Sequence, residues 1–330
     1  MMTQWRRPLL LVSLLFLGLA PPAGAETALV RVNYSSGWDA LPALVGIERG
    51  FFAENGLVVS GMAVSSVQTM LKSVVVGSAD FAAVPQRALL LTVAAKLPVK
   101  VVSMNGWGTQ MELVVPATDS ATKSLADLKG KTIAVTSGSE AFPVLIRLLD
   151  AAKLKPSDVK IKQVSAQQFT KAFSGRLADA VFDSRFFTIV FQGGKGRVVL
   201  ASGDVVKTIG LIGASALLVR NDLIAKEPAT VQKFVNGWVK ALKYIQQNPD
   251  DAARVLEIFF HRQGVVVAMP LAKAWVQDTR FDRYLWTAAD VADAEYNGWG
   301  LQQGRILKTA PKLAGYIDNR FAEQAIKALK

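Results

Sequence analysis

From Ala28 to about Arg220 the chain alternates short β-rich runs with amphipathic segments, and this alternation narrows its possible folds more than any other feature. Ten runs read as strands: residues 29–34, 57–63, 80–84, 99–104, 112–116, 132–135, 159–164, 179–182, 198–200 and 214–220. Helical periodicity fills most of the gaps, which predicts α/β layers with mainly parallel sheets. Beyond Arg220 the pattern becomes helical. Glu227-Pro228 opens a helix predicted to reach Gln247, and Asn248-Pro249-Asp250-Asp251 opens the next. Later helices are predicted over 270–279, 288–303 and 319–329.

A faint internal repeat points to two lobes. Val64-Ser65 opens a helix ending at Val76-Gly77, and a strand beginning at Asp80 follows; Val164-Ser165 opens a second helix ending at Ser174-Gly175, and a strand beginning at Asp179 follows. Two similar β-α-β units one hundred residues apart suggest two similar sheets. The ends of the repeated strands then line a cleft, with Val84, Pro85 and Gln86 on one wall and Asp183, Ser184 and Arg185 on the other.

The stretch from Ser124 to Glu140 is the most informative single segment. It reads as a short helical turn, a tight turn at Gly130, a buried strand, a small-residue loop and then a helix with Pro143 in its first turn. Ser137, Gly138 and Ser139 therefore fall where a strand's carboxyl end meets a helix amino end. Open main-chain N–H groups and the helix dipole favour negative charge there. An ordinary helix cap, with Ser137 or Ser139 as its capping residue, explains the same residues. Gly130-Lys131-Thr132 imitates the end of a phosphate-binding loop, but a strand follows it where such a loop needs a helix.

Residues 1–25 have the form of an export signal: Arg6 and Arg7, an apolar core over 9–20, and Ala23-Gly-Ala25 as a cleavage pattern. The core is shorter than the about 20 apolar residues of a membrane span. Cleavage leaves 305 of 330 residues, enough for two domains, and lowers the net charge from +12 to +10. The basic residues are scattered among 26 acids, without the stripe and aromatic platforms of a nucleic-acid surface. There is no cysteine, which excludes disulfides, thiolate catalysis, thiolate metal sites and a lipid-modified amino-terminal cysteine. The one histidine, His261, cannot by itself build a histidine-rich metal site or a triad. No catalytic residue, metal site or cofactor is predicted.

Several stretches together resemble the solute-binding proteins of the nitrate/sulfonate/taurine transport group. They are Leu41-Pro42, Ile47-Glu-Arg-Gly-Phe-Phe-Ala-Glu-Asn-Gly-Leu-Val-Val59, Val76-Gly-Ser-Ala-Asp-Phe81, Ser124-Leu-Ala-Asp-Leu-Lys-Gly-Lys-Thr-Ile-Ala-Val135, Ser137-Gly-Ser139, Ser157-Asp-Val159 and Arg197-Val-Val-Leu200. The resemblance spans residues 30–200 well and the helical end loosely. It implies a two-lobed periplasmic binding fold (type II-like), with two crossing hinge segments and a helical C-terminal part. It also implies a monomer that captures a small molecule and delivers it to a membrane permease driven by separate ATPase subunits. Residues 26–114 and 213–330 would form the first lobe and 115–212 the second, with crossings near 112–116 and 210–215. Glu112, Gly210 and Gly213 are the hinge candidates, since glycine tolerates most backbone dihedrals.

The ligand-binding candidates are Ser36, Gly37, Trp38 and Asp39 after the first strand, Pro85 and Gln86, Trp107, residues 137–139, and Asp183 with Ser184. Strand-end loops carry ligand contacts in such folds. Trp38 offers a flat apolar wall, and Trp107, between two glycines, either swings over the cleft or packs at the hinge. Where many relatives place a Trp and soon a Pro after the strand at Asp179, this chain has Ser184 and no Pro. The predicted ligand is a small anion or zwitterion of the aliphatic sulfonate, taurine or nitrate type. A pyrimidine-like heteroaromatic ligand is the second reading. A pyrimidine-precursor-synthesising enzyme is the third, and the missing cysteine and the export signal oppose it.

Overall fold

Ten strands make two sheets of five, and the computed structural model describes residues 28–329 except 36, 37, 65, 109, 110, 166, 167, 169, 170, 186, 187, 189–195 and 211, with Trp38 by its backbone alone. The predicted signal segment, Ser36 and Gly37 lie outside the described residues. The first sheet holds β1 (Ala28–Tyr34), β2 (Leu57–Ala63), β3 (Phe81–Val84), β4 (Val99–Gly106) and β10 (Ser215–Arg220), in the order β2-β1-β3-β10-β4. The second holds β5 (Met111–Pro116), β6 (Thr132–Thr136), β7 (Lys160–Val164), β8 (Ala180–Ser184) and β9 (Gly196–Leu200), in the order β7-β6-β8-β5-β9. In each sheet a central strand pairs in parallel with two neighbours: β1 with β2 and β3, β6 with β7 and β8. In each, one strand from the other half of the sequence order runs antiparallel, β10 in the first and β5 in the second. This is the α/β, two-lobed periplasmic binding-protein architecture, with mixed rather than purely parallel sheets.

The internal repeat has a physical counterpart. At the start of β3, Asp80 N donates to Arg31 O at 2.9 Å, while Arg31 N donates to Asp80 Oδ2 at 2.9 Å. At the start of β8, Asp179 N donates to Thr132 O at 2.8 Å, and Thr132 N donates to Asp179 Oδ2 at 2.7 Å. Each Asp thus extends the ladder by one side-chain rung, closing the joint between the repeated strand and its central neighbour.

The helices are α1 (Leu41–Glu48), α2 (Val67–Val75), α3 (Gln86–Ala94), α4 (Ala141–Ala151), α5 (Ser202–Ile209), α6 (Asn221–Lys226), α7 (Pro228–Gln247), α8 (Pro249–Arg262), α9 (Met269–Asp278), α10 (Ala288–Gln303) and α11 (Arg320–Ala328). The Gly50-Phe51-Phe52 motif serves the first core. Phe52 stacks on Phe234, which stacks on Phe81. A Cβ on Gly46 of α1 would come within 2.4 Å of the Phe52 ring, and one on Gly237 of α7 within 2.6 Å. The ring is therefore a wedge between two helices that meet only because both lack a side chain there. None of the helices among the described residues is long and apolar enough to cross a membrane.

The chain passes from the first sheet to the second between Gly106 and Met111 and returns between Ile209 and Ser215. These passages run side by side: Gly108 N donates to Ile212 O at 2.9 Å, and Ser215 Oγ to Gly106 O at 3.0 Å. The predicted lobe division at residue 114 falls inside β5, which pairs whole within the second sheet.

Candidate binding cleft between the two sheets

On the first wall, the ends of β1 and β3 lead into α1 and α3. Asp39 is buried, and its carboxylate accepts Ser35 Oγ at 2.5 Å and Ser35 N at 3.2 Å. Asn105 Nδ2 donates to Asp39 O at 3.1 Å, while Asn105 Oδ1 is buried without a hydrogen-bond partner. Burial pushes the Asp39 carboxyl up, against the Ser35 hydrogen bonds that pull it down. Pro85 is half-buried and begins the turn into α3. Gln86, expected to reach the ligand, is 1% exposed, and both ends of its amide are engaged by α10: Nε2 donates to Asp293 Oδ2 at 3.2 Å and Oε1 accepts Asn297 Nδ2.

On the second wall, β6 runs into the loop at residues 137–139 and then α4. Gly138 sits at φ +81°, which lets the loop reverse tightly. Ser137 N donates to Val164 O at 2.7 Å and Ser139 N to Thr136 O at 3.1 Å, so two of the three loop N–H groups already have protein acceptors. Ala141 N donates to Ser139 Oγ at 3.2 Å, so the Ser139 hydroxyl is turned to the first residue of α4, whose N-cap is Glu140. Asp183, 1% exposed, stands behind this loop. It accepts Thr136 N at 2.8 Å, Ser139 Oγ at 3.5 Å and, on its other oxygen, Ser184 N at 2.8 Å. Burial pushes its carboxyl up, and those hydrogen bonds oppose the shift.

The two walls touch through groups that the sequence reading passed over. Arg87 N, at the second residue of α3, donates to Glu140 Oε1 at 2.6 Å, and Arg87 Nη1 donates to Ser139 O at 3.3 Å. Burial pushes Glu140 up to about 7, opposed by Arg87 and reinforced by the nearby Asp293 and Asp39. Desolvation lowers the Arg87 guanidinium in turn. Arg185, at the end of β8, reaches Asp278 of α9 at 3.2 Å and lies 3.8 Å from Glu112.

Behind the cleft, α10 lies against both α3 and α4. Arg147 of α4, 1% exposed, donates to Asp293 at 2.8 Å, to Asn297 at 2.6 Å and to Ile209 O at 2.7 Å. Gly213 N donates to Asp293 Oδ2 at 3.0 Å. One buried carboxylate therefore joins α3, α4 and the returning passage. Gly213 and Gly210 have φ of +61° and +60°, and Gly210 ends α5. Glu112 is buried in β5 and accepts Thr188 Oγ1 at 2.8 Å. Trp107 is held at the passage: its Nε1 donates to Asp282 at 2.8 Å, and the Arg280 and Arg283 guanidiniums lie 4.7 and 4.9 Å from its ring centre. Main-chain bonds in both directions between Trp107 and Arg280 fix the backbone of the passage there.

A family model described as NMT1/THI5 like matches residues 38–252, which takes in both walls and the two passages. The chain belongs to the NMT1/THI5-like family. A Brucella abortus (strain 2308) protein whose name goes no further than binding protein is 26% identical over 323 residues, covering 95% of each chain. Among solved structures, the periplasmic aliphatic sulphonate binding protein SsuA of Escherichia coli superposes with a TM-score of 0.74 at 18% identity, over 88% of this chain and 92% of that one. The desulfurization enzyme DSZB superposes with a TM-score of 0.66 at 15% identity, over 91% and 100%. The same fold thus carries a binding protein and an enzyme among solved structures.

The groups at the NMT1/THI5-like cleft are of four kinds. They supply a guanidinium, helix-end N–H groups, hydroxyls and buried carboxyls. His261 is exposed on α8, in a surface hollow with Ile258 and Val266. Among the described residues no group of three or more His, Asp or Glu is gathered to hold a metal. Arg87, Glu140 and Arg147 had one legible signal each. Arg147 is the lone cation in an apolar helix whose other charge is Asp150, and Arg87 and Glu140 are opposite charges that each follow a strand's carboxyl end.

Proposed function

We propose that the mature chain works in the periplasm as the capture subunit of an ABC import system. It closes two lobes over a small anionic or zwitterionic organic compound of the aliphatic sulfonate, taurine or nitrate type, then passes it to a membrane permease with its ATPase. One observation carries this reading. Two sheets of identical strand order bring helix amino ends face to face across one gap, α3 with Arg87 on one side and α4 with residues 137–139 on the other. Oriented N–H groups, hydroxyls and a guanidinium are what an acid group needs in place of water. The name of the Escherichia coli neighbour supports a sulfonate. The lobes meet at the two side-by-side passages, with Glu112, Gly210 and Gly213 at or beside the hinge, and Pro85 and Ser184 bordering the cleft.

A second reading follows from the carboxyls. Asp39, Glu140 and Asp183 are all pushed up by burial near the gap, and Asn105 Oδ1 is an unmatched buried acceptor. Such a wall suits a ligand with N–H donors, such as a pyrimidine-like heteroaromatic. Titration calorimetry of the purified protein with taurine, methanesulfonate, nitrate and a pyrimidine separates the two. Micromolar binding of a sulfonate or nitrate is the expected result. Heat from the pyrimidine alone would replace the first reading with the second.

A further inference from the structure

Glu140 begins the second wall's helix, yet its carboxylate is held by the first wall. Its Oε1 sits 2.6 Å from an open N–H of α3, and the guanidinium of the same residue returns to the carbonyl of Ser139. Nε of that guanidinium is buried and has no hydrogen-bond partner. The groups facing the carboxyl are Arg87 from α3, Asp293 from α10 and Asp39 from the turn before α1. One cation and two further acids surround it, so the seat is electrostatically poor for a fixed carboxylate. The hydrogen bond across the gap nevertheless forms.

We propose that Glu140 is an internal stand-in for the ligand's acid group: a carboxylate that one lobe lends to the helix end of the other, and that the dissolved anion displaces. This rests on the anion-capture reading above. The tether gives the side chain a local concentration of about millimolar or more, so an anion offering a single weak contact does not dislodge it. A sulfonate presents three oxygens. It can take the Arg87 N–H and the unmatched Nε together, whereas the glutamate takes the first alone. The clasp therefore sets a threshold that favours tetrahedral oxyanions over simple carboxylates, and it links the lobes before ligand arrives.

The test uses the full mature protein with Glu140→Ala and, in case truncation harms folding, Glu140→Gln. The natural chain has no cysteine, so spin labels on Lys226→Cys and Lys129→Cys, one exposed site per lobe, report the interlobe distance. Without ligand, the distance is expected to lengthen in Glu140→Ala, with Glu140→Gln between it and the parent. Calorimetry is expected to give methanesulfonate and taurine affinities about tenfold or more tighter in Glu140→Ala, the size of one lost charge-assisted competitor. Equal or weaker sulfonate binding in Glu140→Ala, or an unchanged distance in a protein that binds sulfonate, overturns the proposal. Silence of parent and variants toward every anion would instead overturn the anion reading on which it stands.

Discussion

At the scale of single residues, Glu140, Asp39 and Asp183 share one direction: burial holds each carboxyl above its ordinary range. A carboxyl raised in the folded state contributes stability that is fully present below its unfolded value and is lost as pH rises through the folded one. For Glu140 that window runs from 4.5 to about 7. Asp119 works the other way. Thr122 and Ala121 hold it well below the usual aspartate range, so its contribution is lost only in stronger acid. Thermal scans from pH 5 to 8 are expected to show a falling Tm, and Glu140→Gln is expected to flatten that slope. A slope unaltered by the substitution would mean that Glu140 titrates as it does in the unfolded chain. The strand-end positions of Gln86 and Asp183 are legible in the sequence, but their partners are not. Their partners Asp293 and Thr136 lie 207 and 47 residues away in the chain, and no local pattern announces such pairing.

Elements were far more legible than partners. Every predicted strand has its counterpart, because each is a short, largely apolar run bounded by turn residues, and most ends agree within two residues. The helix predicted to end at Ser174-Gly175 differs: residues 171–176 are turns, and residues 166, 167, 169 and 170 lie outside the described residues. What the pattern could not reveal is that α10 would be the joint between α3 and α4. Its sequence is nearly as apolar on one face as another, and it seats against α4 through Gly300, where a Cβ would come within 2.7 Å of Pro143 O. The buried Arg147–Asp293 pair locks this joint. Arg147→Ala leaves Asp293 enclosed without its cation, and is expected to cost about 3–5 kcal/mol in urea unfolding. Arg147→Met with Asp293→Leu is expected to recover part of that loss, because the enclosed charge goes with its partner.

For the whole molecule, the repeated strand order means that the two walls are built by the same rule, and their loops meet because both sheets present carboxyl ends to one gap. A ligand that bridges such walls binds the closed, folded state alone. At one hundred times its dissociation constant it is expected to add about 2.7 kcal/mol of stability, read as a rise of several degrees in Tm. Absence of any rise at saturating, calorimetrically bound ligand would place the ligand outside the gap. The way Trp107 is held has an optical consequence. An indole with two guanidiniums 4.7 and 4.9 Å from its ring centre and anchored to Asp282 senses their charge more than the polarity of a passing solute. Of the seven tryptophans, it is the natural colour gauge for the swing of one half against the other. The emission that vanishes in Trp107→Phe would track that swing in real time without any added dye.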